Sequence, residues 1–119
     1  KEFYRICRNN SIIKIIVPHP RHDDFISDPT HVRPITILGL QLFDKDLNIK
    51  WEKERAANTP LGLINGVNFK IKNVKYSLDQ NYMKKYKDKK INNQEVDDDA
   101  KRLNNVVKQI EIDWQVIKD

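Results

Sequence analysis

The run Ile12-Ile13-Lys14-Ile15-Ile16-Val17 is almost uninterrupted apolar and β-branched, and it stops at Pro18. Residues of this kind favour a strand, and near-continuous apolar character suits a strand buried on both faces, as in a parallel sheet covered by helices. The next residues, Pro18 to Pro34, hold every histidine of the chain (His19, His22, His31) with Arg21, Arg33, Asp23, Asp24 and Asp28. Four of the five prolines also lie there, and each fixes its own φ and pushes the residue before it towards extended backbone. The segment is therefore a stiff loop dense in titratable groups, where binding or catalytic chemistry is commonly sited. Strand followed by such a loop is expected at the carboxyl edge of an open α/β sheet.

At 119 residues the chain is one domain at most, with room for a modest core. No stretch approaches the ~20 consecutive apolar residues of a membrane span, and no secretory signal is visible. A single cysteine, Cys7, excludes an internal disulfide and suits a reducing cytoplasm. The net charge of +5 is uneven: eight lysines face two aspartates from Lys70 to Lys90, and Glu95, Asp97, Asp98 and Asp99 then reverse the sign. Alternating blocks of this kind read as solvated faces. Lys84, Lys85, Lys87, Lys89 and Lys90 interleave with Tyr82 and Tyr86, a pattern able to contact phosphates and stack bases. No base-reading motif accompanies it, which disfavours nucleic acid as a partner.

Further elements follow from periodicity. Lys1 to Arg8 reads as the end of an amphipathic helix, with Phe3, Ile6 and Cys7 on one side; with no initiator methionine or N-cap, it looks cut from something longer. Thr36 is the expected N-cap of one helix running to about Arg55, along which Leu40, Phe43, Leu47 and Trp51 recur. A strand is expected from Val67 to about Leu78, with a bulge or bend near Asn73 where the alternation changes parity. Gln80 to Tyr86 adds a helical turn and Asn93 to about Asn105 a longer helix. Ile110, Ile112, Trp114 and Val116 then alternate as the buried face of a closing strand.

The string FYRIC…IIKIIVPHPRHDDFISDPTHVRPIT, continued through LQLFDKDLN…W and AANTPLGLINGVNF, resembles the second half of a bacterial family of class I S-adenosylmethionine-dependent methyltransferases. The substrate of that family is generally unassigned. The resemblance covers nearly the whole chain, and Pro18 to Pro34 is its distinctive part. It implies a partial Rossmann-like α/β fold: one buried parallel-type strand, a long helix and a closing antiparallel strand pair, with Ile12 to Val17 as the fifth strand of a seven-stranded sheet. It also implies S-adenosylmethionine as cofactor. The family holds that cofactor mainly with the first half of the fold, through a glycine-rich loop. The three glycines of this chain, Gly39, Gly62 and Gly66, form no such loop.

Within the loop, His19 and His22 are the candidate bases, since an imidazole at a strand's carboxyl end has the right intrinsic pKa to move a proton near neutrality. Arg21, Asp23, Asp24, His31 and Arg33 are the candidate substrate-binding groups. A second role competes for several of them. His22 and the aspartates can simply hold the loop together, Asp28 before Pro29 can start a turn, and Arg33 can clamp Asp23, Asp24 or Asp28. His19, His22 and His31 with Asp23 or Asp28 also offer donors for zinc, iron or manganese, but at a spacing that matches no specific signature. The functional expectation is the carboxyl-terminal, substrate-side portion of a cytoplasmic methyltransferase domain, inactive alone. It would pair with the missing amino-terminal half or form a two-fold dimer, and it would face a small-molecule or other methyl acceptor. A non-enzymatic binding or assembly module and a histidine-loop metal-dependent hydrolase are the alternatives.

Overall fold

A computed structural model describes residues 1–85 and 92–118. In chain order its elements are α1 (Glu2–Ile6), β1 (Ile12–Pro18), α2 (Asp23–Ile26), α3 (Ile37–Gln41), α4 (Lys45–Lys53), α5 (Leu61–Asn65), β2 (Phe69–Leu78), α6 (Gln80–Lys85), α7 (Asn93–Arg102) and β3 (Val107–Val116). Most of the Lys84-to-Lys90 tract lies outside the described residues. Among those described, no helix is long and apolar enough to cross a membrane.

The three strands form one sheet in the order β1-β3-β2. The strand that comes last in sequence is the middle one, and it runs antiparallel to both neighbours. Asn10 N–H bonds to the Val116 carbonyl and His19 N–H to that of Lys108, while Asp79 N–H reaches Val106 and Ile117 N–H reaches Asn68. β1 and β2 therefore point the same way. The expected pairing of the two closing strands is present, and the buried parallel-type strand is not. β1 is an edge strand of alternating exposure, with Ile12 49% and Ile16 54% exposed, and its sheet neighbour runs the other way. Its apolar run is continuous in sequence, yet only one of its faces is covered.

Contacts divide the chain into two compact units. The first comprises Lys1–Ile15, Thr36–Val74 and the chain from Ile112. Its core is an aromatic stack: the Phe69 and Trp114 rings lie nearly parallel with centroids 3.9 Å apart, and Tyr4 and Phe43 meet them edge-on. Leu40, Val67, Ile112 and Val116 are buried in the same unit. In α1 the packing residue is Tyr4, whose hydroxyl donates to the Ile117 carbonyl; Phe3 and Ile6 are exposed and Cys7 is only half-buried.

The single helix expected from Thr36 to Arg55 is two. Thr36 does cap the first, accepting from Gly39 N–H. The break falls at Asp44, whose carboxylate accepts from the N–H groups of Asp46 and Leu47 and so starts a new helix. The carbonyls released by the break are taken up elsewhere. That of Leu42 accepts from Gly62 N–H and Asn48 Nδ2, and that of Phe43 from Phe69 N–H. Gly62 comes so close here that a Cβ would lie 2.8 Å from Asn48 Oδ1 and 2.9 Å from the Phe43 carbonyl oxygen. Gly66 ends α5 in the left-handed region at φ 64°, which glycine adopts without a Cβ penalty. Burial along β2 changes parity at Lys72 and Asn73, both exposed, where the sequence predicts a bend.

The second unit comprises Ile16–Ile35 and Lys75–Glu111. It holds the carboxyl ends of β1 and β2 and the start of β3, with Val106, Val107, Ile110 and Ala100 buried. Asn92 caps α7 by accepting from Glu95 N–H.

Candidate functional site

The carboxyl ends of β1 and β2 open onto an irregular surface built from three pieces of chain. These are the start of the proline-rich loop, the Asp79 turn that leads into α6, and the Asn104-Asn105 turn that leads into β3. Asn105 sits at φ 60°, a left-handed backbone that asparagine adopts more readily than most non-glycine residues. Its Oδ1 accepts from Asp23 N–H, and its own N–H donates to the Arg21 carbonyl.

His22 ties these pieces together. Its ring is buried; Nδ1 accepts from Asp24 N–H at 3.0 Å, capping α2, and Nε2 lies 2.7 Å from Asp79 Oδ1. With Nδ1 accepting, the proton belongs on Nε2, which donates to the carboxylate. Asp79 Oδ2 accepts in turn from the N–H groups of Asn81 and Tyr82. The hydrogen bond from His22, ahead of these backbone bonds, holds the Asp79 carboxyl below its ordinary value. The Tyr82 hydroxyl donates to Asp99 Oδ2 at 2.7 Å, which fixes its ring. The imidazole of His22 thus has no nitrogen left to abstract a proton, and its place is that of a strut.

His19 differs. It is half-buried, its N–H is bonded to the Lys108 carbonyl, and its Nδ1 accepts from Arg21 N–H at 3.1 Å. Burial first, then the neighbouring Arg21 and His22, lower its pKa from 6.5. A neutral ring with Nδ1 occupied carries its proton on Nε2. His19 is therefore set up to donate a hydrogen bond rather than to remove a proton.

The remaining loop residues divide. The Arg21 guanidinium donates to the Lys101 carbonyl. Asp24 is exposed at the first turn of α2, with its carbonyl 3.1 Å from His31 Nδ1. The His31 ring stacks on Phe25, with centroids 5.5 Å apart. Asp28 makes the expected turn, accepting from the N–H and hydroxyl of Thr30; the hydroxyl is the main cause of its lowered pKa. Arg33 is exposed and clamps none of Asp23, Asp24 or Asp28 among the described residues. The three histidines do not converge on one point, and no group of three His, Cys, Asp or Glu side chains among the described residues is disposed to hold a metal ion.

Beside the His22–Asp79 strut lies a cleft of about 360 Å³. Asp23, Asn81, Asn104 and Asn105 line it with polar groups, and Tyr82, Leu103 and Val106 supply an apolar wall. Of these only Asp23 stood out in the sequence loop. Asp79 and Asn105 carry a local signal, an Asp or Asn at a strand end, but their partners lie 57 and 82 residues away.

The chain matches no protein-family model, no curated protein and no solved structure.

None of the three glycines forms the glycine-rich loop that the resemblance implies for S-adenosylmethionine. Gly39 lies within α3, Gly62 within α5 and Gly66 at its end, and none opens a glycine-rich turn after a strand.

Proposed function

We propose that this chain is the carboxyl-terminal, substrate-side portion of a methyltransferase-like α/β domain of partial Rossmann type. The strand order carries the proposal. In that fold a reversed strand pair closes the sheet beside the fifth strand, so one of the pair must lie antiparallel against it. Here β3 does so against β1, and β2 completes the pair on its other side. Among the described residues no strand pairs with the outer edge of β1, where a further parallel strand can add by backbone hydrogen bonds. That edge, with Ile12 exposed beside it, also supports association with an amino-terminal half or with a second copy.

On this reading the chain contributes no cofactor contacts. Its own residues bind and orient the methyl acceptor at the carboxyl ends of β1 and β2, with His19 Nε2–H as a donor to an acceptor oxygen. Aligning the nucleophile is most of what methyl transfer requires of an enzyme. The test is calorimetric titration with S-adenosylmethionine of two proteins: these 119 residues and the chain extended through the residues encoded upstream of Lys1. Micromolar binding by the extended protein alone is expected. Micromolar binding by the 119 residues, or none by the extended protein, overturns the proposal.

A further inference from the structure

We infer that the cleft beside His22 and Asp79 binds a saturated, hydroxyl-bearing ring (a sugar, or the ribose of a nucleoside) through the Asp23 carboxylate and the carboxamides of Asn81 and Asn104. Its role as methyl acceptor rests on the function proposed above; the binding itself does not.

The polar atoms of the cleft separate into committed and open groups. His22 spends both ring nitrogens, and Asp79 accepts from His22, Asn81 N–H and Tyr82 N–H. These two form a fixed floor. The Asp23 carboxylate, by contrast, makes no hydrogen bond or ion pair among the described residues; only its backbone N–H is bonded, to Asn105 Oδ1. Among the described residues the side-chain amides of Asn81 and Asn104 are likewise unspent, and so is the Asn105 side-chain NH2.

Donor and acceptor chemistry then selects the ligand class. A carboxamide offers both a donor and an acceptor, and so does a hydroxyl, whereas a carboxylate accepts from two adjacent hydroxyls at once. An anionic ligand is disfavoured, because Asp23 and Asp79 line the cleft and, among the described residues, no lysine or arginine does. A purely cationic ligand has no acceptor to offer the amide N–H groups. Tyr82, its ring held through Asp99, and Leu103 give an apolar wall for the carbon face of a ring. A volume of about 360 Å³ is within the range of small-molecule sites, and the carboxyl end of the strands is where α/β sheets bind ligands.

The experiment is a titration of the ¹⁵N-labelled chain, without S-adenosylmethionine, followed by amide chemical shifts. The probes are methyl α-D-glucopyranoside, methyl α-D-mannopyranoside, adenosine and adenosine 5′-monophosphate. Saturable shifts at the amides of Asp23, Asn81 and Asn105, with millimolar dissociation constants, are expected for a glycoside or for adenosine. Which of the two responds identifies the source of the ring. Adenosine 5′-monophosphate should bind more weakly than adenosine. Asp23→Ala should weaken binding about tenfold, the usual worth of a hydrogen bond to a charged group, and Asn104→Ala about threefold. Both residues are exposed, and an unchanged spectrum outside the cleft checks that each variant is folded. The absence of saturable shifts up to tens of millimolar overturns the inference. So does tighter binding of the monophosphate, or an unchanged affinity in folded Asp23→Ala. None of these results bears on the cofactor titration, so the two proposals fail separately.

Discussion

His22 Nε2 and Asp79 Oδ1 stand 2.7 Å apart and join two turns separated by 57 residues of sequence. The His22 ring is buried, so it cannot turn to water when Asp79 is removed. His22→Ala should cost about 3 kcal/mol, the sum of a buried hydrogen bond to a charged group and a lost helix cap. His22→Asn keeps an acceptor near the Nδ1 position and should cost about half of that. Urea unfolding of both variants measures the difference. Equal losses would mean that the cap contributes nothing.

Acid should weaken the fold in two steps. His19 has its pKa lowered from 6.5, chiefly by burial. Between the folded value and 6.5 the unfolded chain binds the proton more readily, so stability falls as pH drops through that window. Asp79 has its pKa lowered from 3.8, chiefly by the hydrogen bond from His22. Its contribution is complete above 3.8 and is lost as pH falls through the folded value. His19→Gln should flatten the first step and leave the second. Chemical denaturation at a series of pH values reads both, and an unchanged first step in the variant would remove His19 as its cause.

Gly62→Ala should destabilise by about 1–3 kcal/mol, because its Cβ meets the Asn48 side chain and the Phe43 carbonyl. Asn48 is itself buried, donating to the Leu42 carbonyl and accepting from Leu63 N–H. Asn48→Ala should therefore cost about 2 kcal/mol alone. In the double variant the two losses should add to less than their sum, since one of the clashing groups has gone. A thermal-melt cycle of the four proteins checks it; strict additivity would contradict the close approach.

Asp44→Ala should cost about 1–2 kcal/mol, through the cap of α4. The same carboxylate lies 3.1 Å from Lys70 Nζ, which also pairs with Asp46 at 2.5 Å. Burial tends to lower the Lys70 pKa, but hydrogen bonds and charge from the two aspartates outweigh it and raise the net value. Lys70→Met should nonetheless cost under about 1 kcal/mol, because Asp46 stays largely in water and Lys70 is itself partly exposed. Equilibrium unfolding ranks the two, and a larger loss for Lys70→Met would place the weight on the ion pair instead.

Local chemistry was readable in the sequence wherever it was self-contained. The Thr36 cap, the Asp28–Thr30 turn, the parity change at Lys72–Asn73 and the alternation of Ile110, Ile112, Trp114 and Val116 each depend on a few adjacent residues. The helix break at Asp44 was harder to see. The apolar spacing runs straight through it, and the decisive factor is that Gly62, Asn48 and Phe69 take the freed carbonyls. The site was half visible. The loop histidines were conspicuous, but His22 is spent on Asp79, a partner that no spacing rule connects to it. The carboxamides of Asn81 and Asn104 carry no motif. The exposure of Ile12 and Ile16 is not legible in the sequence, because a continuous apolar run reads alike in an edge strand and a central one.

The middle strand of the sheet is also the last of the three to leave the ribosome. Until Val107–Val116 has been synthesised, Ile12–Pro18 and Phe69–Leu78 lack the strand that both pair with, since the two are not neighbours in the sheet. About ninety residues must wait between β1 and its partner, which makes the closure entropically slow and the apolar early strand a transient hazard. Translation of this chain should thus deliver a late, concerted collapse rather than stepwise assembly from the amino terminus.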